Sequence, residues 1–268
     1  MKLTVLADNN TYIDWYYLGE PAVSYYIEEG DNRILFDTGY SDVFMKNAES
    51  MGIDLHALTH IVLSHGHNDH TGGLQFLAEK QDISKAELLA HPDCFLPKYY
   101  EDEYIGAPFS KQEIAGMTKY HPEREPYLIT ENLWYLGEIP RSNDFEAQKP
   151  IGIQKCSGIA TADYVLDDTA LAYKTENGLF IITGCSHSGI CNIIAYAKQV
   201  CGEERILGVI GGLHLFEVNE QMQKTISYMN ACNMKLFYPC HCVSLAVKAE
   251  MMKSLLVKEV GVGMKVEV

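Results

Sequence analysis

The stretch Ile61–Leu74 reads IVLSHGHNDHTGGL, and it places His65, His67, Asp69 and His70 directly after an apolar run. Imidazoles this close together would repel one another on protonation, so an ordinary solvated loop is a poor explanation for them. Imidazole nitrogen and carboxylate oxygen are donors that suit zinc, iron or manganese, and two such sets can hold two metals that share a water. The string therefore predicts a metal-binding loop, for which the rest of the chain must supply further ligands.

The bulk composition is that of a globular protein, with 268 residues, 47% hydrophobic and 21% charged. A formal charge of −15 without any Lys/Arg-rich run argues against a nucleic-acid surface. No apolar run approaches the roughly 18–20 residues of a membrane span. Eight cysteines without a secretion signal indicate free thiols. We expect a cytoplasmic protein with a small-molecule substrate, and with neither nucleic acid nor membrane as a partner; the oligomeric state stays open.

Strand-like and helical patterns alternate along most of the chain, which predicts a single α/β domain over residues 1–268. A helix is predicted over 41–52, with Ser41 as its N-cap and Gly52 as its stop, and a hairpin over 169–184. Residues 96–155 are richer in proline and tyrosine and lack a clean period. We expect that range to be an insertion or cap over the site, with a partial helix in 110–120.

Residues able to bind metal or transfer protons follow nearly every predicted strand. Ligands of open α/β sheets sit beyond the carboxyl ends of the strands, so these junctions are expected to face one crevice. Besides the histidine-rich string, the residues at such ends are Asp37, His91, Cys185, His187, His214 and the run Cys240-His241-Cys242.

The string SHGHNDHTGG resembles the signature of the metallo-β-lactamase superfamily. The resemblance extends over essentially the whole chain, through ADNN, ILFDTG, GEIPR, LDDTAL, ITGCSHSGI, VIGGLHL and YPCHC. It implies an αββα four-layer sandwich with the metals at the sheet edges. These motifs look like one branch in particular, that of 7,8-dihydropterin-6-yl-methyl-4-(β-D-ribofuranosyl)aminobenzene 5′-phosphate synthase-like metal-dependent hydrolases.

The resemblance implies two divalent metal ions, with zinc expected first and manganese or iron as alternatives. His65 and His67 are expected to bind one ion. Asp69 and His70 are expected to bind the second, which His241 joins from the last motif. Asp69 is accordingly also a predicted catalytic residue.

The middle ligands depart from the superfamily pattern. Where most members have a histidine in a GHT-like hairpin, this chain reads LDDTAL, and the usual Gly-Asp position is Gly184-Cys185. His187 is the expected replacement ligand. Cys185 is the alternative, because a thiolate binds zinc well, although packing also explains a buried cysteine on a strand. Asp167 or Asp168 could supply an oxygen.

Three further residues are expected beside the ligands. His214 is the predicted catalytic general acid, which would donate a proton to the leaving group, with a metal-ligand role as the alternative. Asp37 is expected to hydrogen-bond a ligand imidazole rather than to touch metal. His91 is expected to contact a ligand or the substrate, with direct ligation as the weaker alternative.

Substrate contacts are expected from Asn9, Asn10 and Arg141. The guanidinium of Arg141 could hold a phosphate through two oxygens, and a surface ion pair is the alternative.

Three functions remain open from the sequence. The first is a metal-dependent hydrolase that acts on a small phosphorylated or ester substrate through a metal-bound hydroxide. The second is a pterin-transferring synthase, as the branch suggests, and the third is a non-hydrolytic metal or redox protein. The first two need the same set of ligands, so the ligands do not separate them.

Overall fold

The computed structural model describes residues 1–268, which divide into two compact units. The first unit consists of Met1–Arg124, Pro150–Asp163 and Gly261–Val268, and the second of Glu125–Lys149 and Tyr164–Val260. Both units contain β-strands and α-helices, so the α/β class is confirmed. The single domain over 1–268 stays a prediction.

The strands and helices are numbered here along the chain. The strands are β1 Lys2–Ala7, β2 Ser24–Glu29, β3 Asn32–Phe36, β4 His60–Val62, β5 Glu87–Ala90, β6 Lys98–Tyr100, β7 Glu103–Tyr104, β8 Lys119–Pro122, β9 Tyr127–Leu128, β10 Leu133–Tyr135, β11 Ile153–Cys156, β12 Ile159–Ala162, β13 Ala170–Thr175, β14 Gly178–Thr183, β15 Ile206–Gly211, β16 Leu236–Pro239 and β17 Lys265–Glu267. The helices are α1 Val43–Ser50, α2 Asn68–Thr71, α3 Gly73–Lys80, α4 Lys111–Met117, α5 Ile190–Cys201, α6 Glu220–Ala231 and α7 Leu245–Met251, with a 3₁₀ turn at Leu55–Ala57.

The first unit has two sheets. Its larger sheet has the order β17-β1-β2-β3-β4-β5-β8, antiparallel from β17 to β3 and parallel from β3 to β8. Its smaller sheet has the order β12-β11-β6-β7. Because β3, β4 and β5 run in parallel, the loops that follow them leave the same edge of the larger sheet. Asp37, the histidine-rich string and His91 are in these loops.

The second unit has one six-stranded sheet, in the order β16-β15-β14-β13-β10-β9. Strands β14, β15 and β16 are parallel, and they are followed by Cys185, His214 and Cys240 respectively. Their carboxyl ends therefore also leave one edge of the sheet. The predicted hairpin is confirmed as β13 and β14, which pair antiparallel across a turn at Glu176 and Asn177.

Each unit has its own apolar core, in which the buried faces of strands and helices meet. Leu35, Phe44 and Ile61 belong to the core of the first unit, and Ile181 and Ile193 to that of the second. Burying one such side chain fully stabilises a fold by about 1.5–3 kcal/mol. The longest helices, α5 and α6, have 12 residues each, and none of the helices is long and apolar enough to cross a bilayer.

The helix predicted over 41–52 is present, but its N-cap prediction was wrong by one residue. The cap position is held by Asp42, and α1 begins at Val43. The Ser41 hydroxyl instead accepts a hydrogen bond from the Val43 N–H at 3.3 Å and donates one to Glu20 at 2.6 Å. Gly52 follows the helix with a φ of +70°, the left-handed conformation expected of a helix stop.

The range 96–155 is divided among three sheets. Strand β8 extends the larger sheet of the first unit, and β9 and β10 belong to the sheet of the second unit. Only β6, β7 and β11 contribute to the separate four-stranded sheet. The partial helix is confirmed as α4, which starts with a capping box between Ser110 and Glu113. A tyrosine-rich cap over the site stays a prediction.

Two glycines let α3 start directly against the backbone that follows β3. A Cβ on Gly73 would lie 2.1 Å from the Thr38 carbonyl oxygen, and one on Gly72 would lie 2.4 Å from the Tyr40 carbonyl oxygen. Neither glycine has a positive φ. Close approach of the backbone is therefore what requires glycine at these two positions.

We expect Gly73→Ala to lower the free energy of unfolding by about 1–3 kcal/mol, because the methyl group would displace backbone. The matched control is Gly116→Ala in α4, where an added Cβ has nothing within 4 Å. That change should leave stability equal or raise it by up to about 1 kcal/mol. Urea denaturation of both variants measures the difference, and equal effects would contradict the close-approach explanation.

A fully buried ion pair lies within the smaller sheet of the first unit, next to the histidine-rich loop. Lys98 in β6 and Asp163 just after β12 are both completely inaccessible, and Nζ lies 2.8 Å from the carboxylate. Lys98 also packs against the histidine-rich loop, since a Cβ on Gly66 would lie 3.1 Å from its Cε. Two charges this deep need each other, because either one alone would be buried without compensation.

Lys98→Met should therefore lower the free energy of unfolding by about 3–5 kcal/mol, since it removes the positive charge 2.8 Å from the buried Asp163 carboxylate. The double variant Lys98→Met with Asp163→Leu removes both charges and should recover most of that loss. Denaturation midpoints of the wild type, both single variants and the double variant complete the cycle. A double variant as unstable as the sum of the single changes would disprove the coupling.

Candidate metal centre

The loop after β4 brings two ring nitrogens together. His65 and His67 are buried, and Nε2 of His65 lies 3.0 Å from Nδ1 of His67. Two nitrogens that bind one tetrahedral zinc at 2.0–2.1 Å are about 3.3 Å apart. The spacing and chemistry of this pair therefore fit a single divalent ion.

A second pair of donors begins the short helix α2. Nε2 of His70 lies 3.5 Å from Oδ2 of Asp69. The ring of His70 is completely buried, whereas the Asp69 carboxylate is 29% exposed. A buried imidazole beside a partly exposed carboxylate is a donor set suited to a metal that also meets solvent or substrate.

Asp37, at the end of β3, orients the His70 ring. Its Oδ2 lies 2.7 Å from Nδ1 of His70, so the ring presents Nε2 to Asp69. Its Oδ1 accepts the Ser64 backbone N–H at 2.7 Å, and Oδ2 also accepts the Ser64 hydroxyl at 2.7 Å. Carboxylates in this position fix the tautomer of metal-binding histidines and raise their basicity.

Ser64 is a residue of this network that the sequence reasoning missed. Its Oγ donates to Asp37 and lies 2.9 Å from Nδ1 of His65. One hydroxyl thus contacts the His65 ring directly and also contacts the Asp37 carboxylate that orients His70. The sequence feature that could have indicated Ser64 is its position immediately before His65, the first histidine of the string.

The second unit assembles its own donors at the ends of its parallel strands. Cys185 follows β14, and its Sγ lies within 4.8 Å of a ring nitrogen of His187 and of a ring nitrogen of His241. The rings of His187 and His214 have centroids 4.4 Å apart. Four residues predicted from the sequence are therefore close together in this unit, namely Cys185, His187, His214 and His241.

Phe216 was not predicted from the sequence as a residue of the site. Its side chain is exposed and contacts the His214 ring, with 4.8 Å between the ring centroids.

Close backbone approach makes this cluster compact. A Cβ on Gly212 would lie 2.5 Å from the Cys242 sulfur and 2.5 Å from the Gly184 carbonyl oxygen. Cys242 Sγ accepts the His214 backbone N–H at 3.2 Å. The loops after β14, β15 and β16 are thus in direct contact within this unit.

Strained backbone marks the strand ends of both units. Asp37, Ser186, His214 and His241 have φ values of +57°, +58°, +48° and +51°. Residues with a side chain rarely adopt this left-handed conformation, and it persists where the surroundings impose it, often at functional sites. Each of these residues carries a candidate role or adjoins a residue that does.

Asp168 contacts the loop that carries His187. Its Oδ2 accepts the backbone N–H of Ser188 at 2.8 Å and the Ser188 hydroxyl at 2.5 Å. Burial raises the pKa of Asp168 to about 6, although the hydrogen bonds from Ser188 oppose the shift. The neighbouring carboxylate of Asp167 raises this pKa further. The contacts support a role in holding the His187 loop, and metal ligation by Asp168 stays a prediction.

The remaining predicted residues lie at the following positions. His91 is buried, and its Nδ1 accepts the Asp93 N–H at 3.1 Å. Asn9 is exposed, and the Asn10 N–H donates to the Asp8 carboxylate at 2.9 Å. The contact of these residues with a substrate stays a prediction.

Arg141 uses part of its guanidinium within the second unit. Its Nη2 donates to the backbone carbonyl of Tyr164 and, at 3.1 Å, to that of Val165. The alternative of a surface ion pair stays a prediction. Phosphate binding by the other nitrogens stays a prediction.

Comparison with known proteins gives consistent matches. A family model described as the metallo-beta-lactamase superfamily matches residues 18–137. An uncharacterized protein of Methanocaldococcus jannaschii is 32% identical over 242 residues, 90% of this chain and 90% of that protein. From the same organism, 7,8-dihydropterin-6-methyl-4-(beta-D-ribofuranosyl)-aminobenzene-5'-phosphate synthase is 32% identical over 267 residues, 94% of this chain and 90% of that enzyme.

A solved structure extends the similarity to the fold. The crystal structure of a metal-dependent hydrolase of the beta-lactamase superfamily is 30% identical, with a TM-score of 0.87, and covers 100% of this chain and 99% of that chain. The resemblance seen in the motifs and the predicted fold class are therefore confirmed. This chain belongs to the metallo-β-lactamase superfamily.

Proposed function

We propose that this protein is a metal-dependent hydrolase that acts on a small phosphorylated or ester substrate. The observation that carries the proposal is the convergence of Nε2 of His65 and Nδ1 of His67 at 3.0 Å, beside a His70 ring that Asp37 orients. A hydrolase of the same superfamily with a TM-score of 0.87 supports this class of reaction. A formal net charge of −15 repels anions, so binding of an anionic substrate by these histidines without a metal is a weaker explanation of the cluster.

The proposed ligands follow from donor chemistry and from the superfamily pattern. His65 and His67 would hold one divalent ion, and Asp69, His70 and His241 the other. His187 would complete the set in place of the hairpin histidine, and zinc is the expected metal. Such ions, when bound, polarise a substrate oxygen and make a water molecule more acidic.

The chain's own residues would prepare this chemistry. The Asp37 carboxylate and the Ser64 hydroxyl fix the rings of His70 and His65, so that fewer orientations compete with the productive one. His214 would give its proton to the departing oxygen of the substrate, which would otherwise leave as an anion. The Phe216 ring lies edge-on to the His214 ring, with 4.8 Å between their centroids.

A synthase is the second candidate function. The observation that favours it is the 32% identity to the dihydropterin ribofuranosylaminobenzene phosphate synthase over 94% of this chain. A synthase would join two substrates, whereas a hydrolase needs only water as the acceptor. Product analysis with and without an added ribofuranosylaminobenzene phosphate separates the two, because only a synthase gives an acceptor-dependent product.

We expect Asp69→Ala combined with His70→Ala to remove at least one of about two bound metal ions per chain. The two changes remove both donors of the α2 pair. Elemental analysis of purified protein, followed by a screen of phosphodiesters and phosphomonoesters, measures metal and activity together. The control is His56→Ala, which changes an exposed histidine that pairs with Asp54. Full activity in the metal-free double variant would rule out the proposed mechanism.

We expect His214→Ala to keep its metal and to lower kcat by about 10²–10⁴-fold, the usual effect of a lost general acid. The loss should be smaller for substrates with a good leaving group such as nitrophenolate, which needs no proton. Rates across a series of leaving groups, with metal content as the control, test the role. Equal losses across the series would argue against proton donation, and loss of metal would make His214 a ligand.

A further inference from the structure

Cys185 occupies the position at which the superfamily pattern has a ligating aspartate. Its sulfur belongs to two groups of potential metal donors in the structure. Within the second unit, Sγ lies within 4.8 Å of a nitrogen of His187 in one group and of a nitrogen of His241 in the other. The sulfur is therefore the donor that these two groups share.

The Cys185 sulfur is buried beside ring nitrogens. Its side chain is only 4% exposed, and Sγ lies within 4.8 Å of a nitrogen of His187 and of a nitrogen of His241. The buried cysteines Cys191 and Cys201, by contrast, are part of the core of the second unit. A buried thiol next to two imidazole nitrogens is in the environment of a ligand.

A neighbouring sulfur has a different role and provides a control. Cys242 Sγ accepts the backbone N–H of His214 at 3.2 Å and lies 3.6 Å from the Cys185 carbonyl oxygen. Both of these contacts are to backbone groups. Cys242 belongs to neither group of potential donors that contains Cys185, so it serves as the matched control.

We propose that Cys185 is a metal ligand shared by the ion positions of His187 and His241, an inference that rests on the proposed metal-dependent function. On binding, the thiol loses its proton to solvent, and the thiolate forms the bond to the metal. Thiolate has the same charge as the aspartate that it replaces but is a softer donor. The site should therefore favour zinc, cobalt or cadmium over manganese and magnesium more strongly than an aspartate site would.

The test is cobalt titration of metal-free protein, monitored by the thiolate-to-cobalt charge-transfer band in the near ultraviolet. The wild type and Cys242→Ser should both show the band, and Cys185→Ser should lose it. Cys185→Asp restores the superfamily residue, and it should bind cobalt without the band and bind manganese more tightly than the wild type. Circular dichroism establishes that each variant is folded.

The outcomes separate this inference from the proposed function. A wild type that binds cobalt without the band overturns the role of Cys185 and leaves the hydrolase proposal standing. A band that persists in Cys185→Ser, or that disappears only in Cys242→Ser, also overturns it. A wild type that binds no divalent metal overturns both proposals.

Discussion

The buried carboxylate of Asp37 is the constraint on which the histidine-rich loop depends. It is completely inaccessible, and an uncompensated charge at that depth would cost several kcal/mol. Its three short contacts, to the Ser64 N–H, the Ser64 hydroxyl and the His70 ring, compensate that charge. They also connect the ends of β3 and β4 with the start of α2. The same interactions that make the burial tolerable therefore fix the ring that is proposed to bind metal.

Backbone strain and donor placement coincide in both units. His214 and His241 have left-handed backbone conformations, which cost of order 1–3 kcal/mol each for residues with a side chain. The loops around them are held by close packing at Gly212 and by the Cys242 contact to the His214 N–H. The backbone that carries these rings is therefore fixed, which suits groups that must meet an ion or a departing oxygen at a defined position.

Local patterns predicted the elements whose signals are local, and missed those that depend on distant pairing. The hairpin predicted over 169–184 is present as β13 and β14, because its turn and its two strands are contiguous in sequence. The division of 96–155 among three sheets was missed, because two- to four-residue strands carry almost no periodic signal. The ion pair of Lys98 with Asp163 joins residues 65 positions apart. For the site, residue type and spacing predicted the imidazole and carboxylate donors, whereas the contacts of Ser64 and Phe216 required the folded chain.

The exchange of aspartate for cysteine at position 185 changes the site in a specific way. Both side chains bind a divalent ion as anions, so the proposed ligand set would keep its overall charge and its attraction for an anionic substrate. The donor atom itself changes, since sulfur is more polarisable than oxygen, and this property influences which metal ions bind most tightly. The imidazoles of His65, His67 and His70 already favour zinc or iron over magnesium or calcium. On the proposal made for Cys185, the sulfur strengthens that preference for softer ions, so the metal preference of this protein should depend on the second unit as well as on the histidine-rich loop.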